Sequence, residues 1–256
     1  MIERWLITLA TALVALAGWL GVRSVSHEAG RSKWTSPLMG IACVVQLMAL
    51  SLRGEMRQAC PLGDLGEDLL FLAWSLTLFY LLVGRVYRLS LLGIFTSPVV
   101  VVLQVVALVP GVMSRHPEPI AETDGWRETH AALSVLSFGA FALSAVSGVM
   151  FLVLNRRLKA HHTTGGLFDS LPSVHSLVDN SKRLLVVGLI ILTIGIVAGF
   201  LTPGMAFNPH LILAAIVWFA YLYLAYQAFH RGLSAQKLSI GSVALFLASL
   251  VFFILL

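Results

Sequence analysis

Two histidines, His130 and His210, each lie near the beginning of a long apolar stretch of the sequence. A neutral imidazole nitrogen is a common metal ligand and a frequent axial ligand of haem iron. Two such rings at equal depth on facing helices could hold one iron from both sides. Arg127, three positions before His130 on the same helix face, could then pair with a haem propionate. Whether this happens depends on the elements that position these residues.

The helix face of His130 has two interpretations. Counting by threes and fours from His130 gives mostly small or weakly polar side chains on one face: Ser134, Ser137, Phe141, Ser144 and Gly148. Such a strip either lets a neighbouring helix approach closely or forms a docking surface for a porphyrin bound to His130. Arg127 likewise is either a propionate partner or an interfacial side chain that extends to water.

The composition is that of an integral membrane protein. Hydrophobic residues make up 58% of the chain and charged residues 11%, and the mean hydropathy is +0.90, whereas about a quarter of the residues in soluble domains are charged. The formal net charge is +5, but the basic residues form short clusters between apolar spans and no stripe with interleaved aromatics. A nucleic-acid partner is therefore not expected.

Eight apolar spans have the lengths of transmembrane helices, which need about 20 residues. They cover residues 4–22, 35–52, 66–84, 89–111, 127–155, 182–203, 209–230 and 238–256. The alternating short segments of a membrane barrel are absent. The sequence thus predicts an all-α, polytopic membrane protein with one transmembrane domain over residues 1–256. Glu3 beside Arg4 leaves no net positive charge ahead of the first span, so we expect a retained helix and no cleaved signal peptide.

The basic residues predict the orientation of this domain. Most of the 17 Lys and Arg residues follow spans one, three, five and seven, so these loops are expected on the cytoplasmic side and both termini on the non-cytoplasmic side. The same topology puts His116, His130 and His210 at or just below the outer surface. His210, or His116, is therefore the candidate second ligand.

Other chemistry has little support. Cys43 lies in the middle of a span and Cys60 in an outer loop, so a disulfide between them is not expected. The chain has no C-x-x-C, H-E-x-x-H, phosphate-binding glycine loop or nucleophile elbow. Proton- or ion-coupled carriers generally place a charged residue at the centre of a span. This chain has no charged residue at the centre of any span. An enzyme is not favoured, and we interpret Gly195 and Gly199 as a helix-packing step in preference to a cofactor slot.

Several segments, in their order and spacing, resemble a known family. Cys60-Pro61 is followed by Glu67-Asp68 and Trp74, and Trp126-Arg-Glu-Thr-His130 opens a long helix. The run Leu171 to Arg183 then precedes Gly195 and Gly199, and Asn208-Pro209 precedes Trp218. Across residues 55–256 these segments resemble the cytochrome c assembly protein family of haem-handling membrane proteins.

The resemblance implies a haem b cofactor and a set of site residues. His130 matches a transmembrane histidine implied in haem ligation, and Glu67 matches an acid at the outer end of a helix. Trp126 belongs to the same motif as His130. Arg127 and His210 are candidates because of their positions in the sequence and not because of the family. Together these five residues form the candidate cofactor site.

This sequence lacks two features of the family. Family members that attach haem to apocytochrome c carry a tryptophan-rich outer segment, whereas the corresponding loop here, residues 202–209, is short and has no tryptophan. A second transmembrane histidine expected after Trp218 is missing, with Tyr226 near its place. The chain therefore resembles the small HemX-like and YpjD-like branch, and direct attachment of haem to apocytochrome c is not expected.

Three functions follow as hypotheses. The first is a haem-handling protein of the bacterial inner membrane that assists cytochrome c biogenesis or haem metabolism. Haem, membrane lipid and other cytochrome c assembly or respiratory proteins would be its partners. The second is a cofactor-free docking subunit of a larger membrane complex. The third is a carrier or enzyme that binds a lipid or small substrate in a cavity between helices.

Overall fold

The computed structural model describes residues 2–26, 33–87, 91–119, 124–159, 174–203 and 209–255. Within these ranges the chain forms eight helices: α1 (Ile2–Ser26), α2 (Thr35–Arg57), α3 (Leu65–Tyr87), α4 (Leu92–Leu108), α5 (Gly125–Lys159), α6 (Val174–Leu201), α7 (Pro209–His230) and α8 (Ala235–Leu255). Each helix corresponds to one predicted span, so the predicted all-α, polytopic class is confirmed.

Six of the helices in the described ranges are long and apolar enough to cross a membrane, and α4 and α8 contribute shorter apolar segments. The helix α4 continues through Pro98, which agrees with the tolerance of proline in membrane helices. Residues 204–208, which are part of the tryptophan-free loop, lie outside the described residues. So does the linker 160–173, which includes the beginning of the run from Leu171 to Arg183. Which side of the membrane each end faces stays a prediction.

The helix α6 extends beyond the apolar span that the sequence predicts there. The predicted span begins at residue 182, and α6 begins at Val174. Its first two turns are mostly polar, and His175 pairs with Asp179 at 2.9 Å across one turn. Such a pair stabilises a helix outside the apolar region, so hydropathy alone misses the extension.

The helix α5 lies between two groups of helices. The first four form a ring in which α1 contacts α2 and α4, while α3 contacts α4 and α2. The helix α5 packs along α6 and also contacts α3 and α8, and 83% of its most apolar stretch is buried. Glycines permit these approaches, because Gly139 faces Ser75 of α3 and Gly148 faces the Ser239 backbone of α8.

The bundle has two distinct ends. The starts of α3, α5 and α7 lie together with the ends of α2, α4 and α6, and we call this the His130 end. Its contacts include a hydrogen bond from the Gly66 N–H to the Val112 carbonyl, 3.1 Å long. The opposite end, where α6 begins and α7 ends, we call the Lys182 end.

Candidate functional site

The side chain of His130 lies at the sixth residue of α5 and is 5% exposed. Its Nδ1 atom lies 2.8 Å from the carbonyl oxygen of Gly195 on α6. A carbonyl oxygen can only accept a hydrogen bond, so Nδ1 must carry the proton. In the neutral ring the lone pair is then on Nε2, which is the form that binds a metal.

The closeness of α6 to His130 depends on two glycines. A Cβ atom added to Gly199 would lie 2.9 Å from His130 Nδ1 and 2.7 Å from Leu211 Cδ1. A Cβ atom added to Gly195 would lie 3.2 Å from Leu133 Cβ. The glycine step therefore has the helix-packing role that the sequence indicates, and it also brings the Gly195 carbonyl within reach of the imidazole.

The strip of small residues below His130 is covered by neighbouring helices. Ser134 lies against Gly195, and Phe141 lies against Gly188. Farther along, the Ser144 hydroxyl meets the Ser181 hydroxyl at 2.8 Å, and Gly148 packs against α8. The interpretation that small residues admit a neighbouring helix is confirmed for this strip.

The other candidates lie at the same end of the bundle. Leu211, the neighbour of His210, is buried against Gly199, so the start of α7 adjoins the His130 region. The side chains of His210, Trp126 and Arg127 are exposed, and so is that of His116. A shared iron between His130 and His210 stays a prediction.

Glu67 belongs to a buried group of charged side chains that we call the Arg53 cluster, formed by Arg53, Arg57, Asp64 and Glu67. Arg53 donates from Nε to Glu67 Oε1 at 2.7 Å, and Arg57 donates from Nε to Glu67 Oε2 at 2.6 Å. Both guanidinium groups also donate to Asp64 Oδ2, at 3.2 and 3.0 Å. Two positive and two negative charges thus compensate one another inside the protein.

The Arg53 cluster joins several elements. Arg53 also donates to the Ser114 carbonyl at 2.9 Å, in the segment after α4. Asp64 Oδ1 accepts from the Glu67 N–H at 2.9 Å and so caps α3. Glu67 therefore has a structural role at this end, and its predicted role in cofactor binding stays a prediction.

Sequence reasoning missed the two arginines of this cluster, although a signal was present. Arg53 and Arg57 are four residues apart at the end of α2 and so lie on one face. Asp64 and Glu67 have the spacing of a helix-capping motif at the start of α3. Opposite charges at the two ends of a short connection indicate an ion-pair cluster.

Both cysteines are free, as the sequence predicted. Cys60, in the connection between α2 and α3, is half-buried. Burial raises the pKa of its thiol to about 11, and the negative charges of Glu128, Asp68 and Glu67 act in the same direction. The thiol is therefore protonated at neutral pH. Among the described residues no group of three or more His, Cys, Asp and Glu side chains could hold a metal ion.

The sequence of this chain matches a family of known proteins. The family described as cytochrome C assembly protein matches residues 62–256. A cytochrome c biogenesis protein CcsA from Chlamydomonas reinhardtii is 25% identical over 242 residues, which cover 90% of this chain and 67% of that protein. The proteins of the same name from Crocosphaera subtropica and Mesostigma viride are 30% and 24% identical.

The coverage of these relatives is uneven. The Crocosphaera match covers 59% of this chain and 47% of the relative, and the Mesostigma match covers 74% and 72%. The family match, in contrast, runs from the connection before α3 to the last residue and so includes the Glu67 and His130 regions. This chain belongs to the cytochrome c assembly protein family.

Proposed function

We propose that this chain is a haem-handling protein of cytochrome c biogenesis or haem metabolism, with one transmembrane domain (residues 1–256) in the bacterial inner membrane. Its family membership supports the process. The short, tryptophan-free segment 202–209 supports assignment to the HemX-like and YpjD-like branch. Haem, membrane lipid and other assembly or respiratory membrane proteins are the proposed partners.

The hydrogen bond between His130 Nδ1–H and the Gly195 carbonyl carries this proposal. Histidines that bind metals commonly donate their other N–H to a protein oxygen, which fixes the tautomer and the ring orientation. Nε2 of His130 would be the atom that holds the iron of a haem b. Haem would supply an iron centre whose potential depends on its ligands and burial.

The remaining candidates would hold the edges of the haem. We propose His210 as the second axial ligand, with His116 as the alternative. The exposed guanidinium of Arg127 would pair with a propionate, and the exposed indole of Trp126 would pack against the ring. Glu67 would contribute indirectly, because its ion pairs hold the His130 end together.

An absorption spectrum tests this function. The full chain, expressed with haem supplementation and purified in mild detergent, is expected to show a Soret band. His130→Ala should remove or strongly weaken this band, and His210→Ala should shift it by removing one axial ligand. His175→Ala is the matched control, because His175 is exposed at the other end of α6 and should leave the spectrum unchanged.

Two results would contradict the proposal. A folded protein that shows no Soret band after haem supplementation would contradict it, and so would a band that is identical in His130→Ala. The alternative of a cofactor-free docking subunit rests partly on the strip of small residues, which α6 and α8 cover in the structure. Purification of the chain from native membranes tests this alternative. A stoichiometric protein partner that co-purifies without pigment would support it.

A further inference from the structure

An apolar groove of about 370 Å³ lies between α6 and α7, within the range of about 300–1,000 Å³ that is usual for ligand sites. It extends along α7 from Trp218 to His230, which corresponds to about 18 Å of helix rise. Its walls are mainly aliphatic and aromatic, and the wall residues Ile190 and Phe229 are more than half exposed. The groove is therefore open along the membrane-facing side of the bundle.

Positive charge collects at one end of this groove, the Lys182 end. The Lys182 ammonium lies 5.6 Å from the centroid of the Phe229 ring, which lines the groove. The exposed Arg231 directly follows α7, and the exposed Lys237 lies in the first turns of α8. The sequence contains no acidic residue after Asp179, and the Asp179 carboxylate is paired with His175.

We propose that this groove binds an anionic phospholipid. One acyl chain lies along the apolar wall beside Trp218, and the phosphate lies near Lys182 and Arg231. A soluble anion would not use an apolar groove of this length, and an uncharged lipid would gain nothing from the cations. Basic sites between transmembrane helices have the chemistry that anionic headgroups require.

This inference is independent of the haem proposal, since no residue in it belongs to the haem site. Each Lys or Arg near an anionic lipid contributes roughly a fivefold factor in affinity. Removal of both Lys182 and Arg231 charges is therefore expected to weaken binding about 25-fold. The probe is phosphatidylglycerol with brominated acyl chains, which quenches a tryptophan that it contacts.

The test is a fluorescence titration of the full chain in detergent micelles, with brominated phosphatidylglycerol or brominated phosphatidylcholine of the same chains. Phosphatidylglycerol should give saturable quenching at a concentration well below that of phosphatidylcholine. Trp218→Phe should remove the saturable part. K182Q/R231Q should shift the midpoint about 25-fold, and R231Q alone about fivefold.

The matched control is R156Q/R157Q, which removes two exposed charges from the end of α5 but none from the groove. This variant should keep the wild-type midpoint. Equal midpoints for the two lipids would overturn the proposal, because they would indicate ordinary annular lipid. An unchanged midpoint in R231Q and in K182Q/R231Q, or saturable quenching that survives in Trp218→Phe, would overturn it as well.

Discussion

Glu67 is the more buried of the two acids on which both arginines of the Arg53 cluster converge. Its carboxylate also accepts a hydrogen bond from the Gly63 N–H at 2.9 Å, so both oxygens are fully used. The side chains of Glu67 and Arg53 are 0% exposed, and water cannot replace a lost partner there. Loss of this carboxylate leaves two buried positive charges with only Asp64 to compensate them.

Glu67→Ala is therefore expected to destabilise the protein by about 3–5 kcal/mol. The free energy of unfolding in mixed detergent micelles measures this effect. Glu55→Ala removes an exposed acid from α2 and should change the free energy by less than about 0.5 kcal/mol. Equal stabilities of the two variants would show that the cluster does not hold the helices together.

The thiol of Cys60 gives a prediction about pH. Because its pKa is raised to about 11, the reactive thiolate is scarce at neutral pH, and the rate of alkylation should rise about tenfold per pH unit through pH 9.5. A thiol with an ordinary pKa would begin to level off near pH 9. Glu128→Gln removes a charge that raises this pKa, so it should lower the pKa and speed alkylation at pH 8.

Iodoacetamide labelling of a Cys43→Ser variant measures the Cys60 rate alone. Glu118→Gln is the control, since it removes an exposed acid that is not among the causes of the shift. A rate that levels off near pH 9, or that does not respond to Glu128→Gln, would contradict the assigned cause.

At the scale of the helices, Gly199 sets the distance between α5, α6 and the start of α7. Gly199→Ala would push a methyl group against the His130 ring and Leu211. We expect a loss of about 1–3 kcal/mol in unfolding free energy, together with a weaker Soret band because the His130 ring is displaced. The free energy of unfolding in mixed detergent micelles and the absorption spectrum measure the two effects.

The control for Gly199→Ala is Gly40→Ala. Gly40 lies inside α2 and has no atom within 4 Å of an added Cβ, so alanine there should be neutral or stabilise the helix by up to about 1 kcal/mol. A Gly199→Ala protein with wild-type stability and spectrum would mean that α6 can move away from His130 without consequence.

The number and positions of the helices could be predicted from the sequence better than the contacts between them. Apolar length predicted all eight helices, because a membrane span must satisfy its backbone within one continuous helix. The part of α6 before residue 182 lies outside the predicted span, since its mostly polar turns carry no hydropathy signal. The partner of His130 could not be predicted, because Gly195 is 65 residues away and contributes a backbone carbonyl that any residue possesses.

At the scale of the whole molecule, α5 joins two groups of helices. The first four helices contact one another in a ring, and α5 contacts this ring mainly through α3 while α6 and α8 pack on its other sides. The sequence indicated the small residues on α5 but not which helices pack against them. That assignment depends on complementary shapes, such as Gly188 against Phe141, which periodicity does not encode.

The pairing of Arg53 and Arg57 with Glu67 also constrains how the chain enters the bilayer. A charged side chain costs about 2.5–3.5 kcal/mol on insertion scales at the centre of a membrane helix and less near its end, where Arg53 and Arg57 lie. Their charges are neutralised only when α2 and α3 are both in place. The two helices should therefore leave the translocon as a single hairpin. A nascent chain that ends before Glu67 would contain α2 without the acid that pairs with Arg53 and Arg57. Its α2 would then be less well retained in the bilayer.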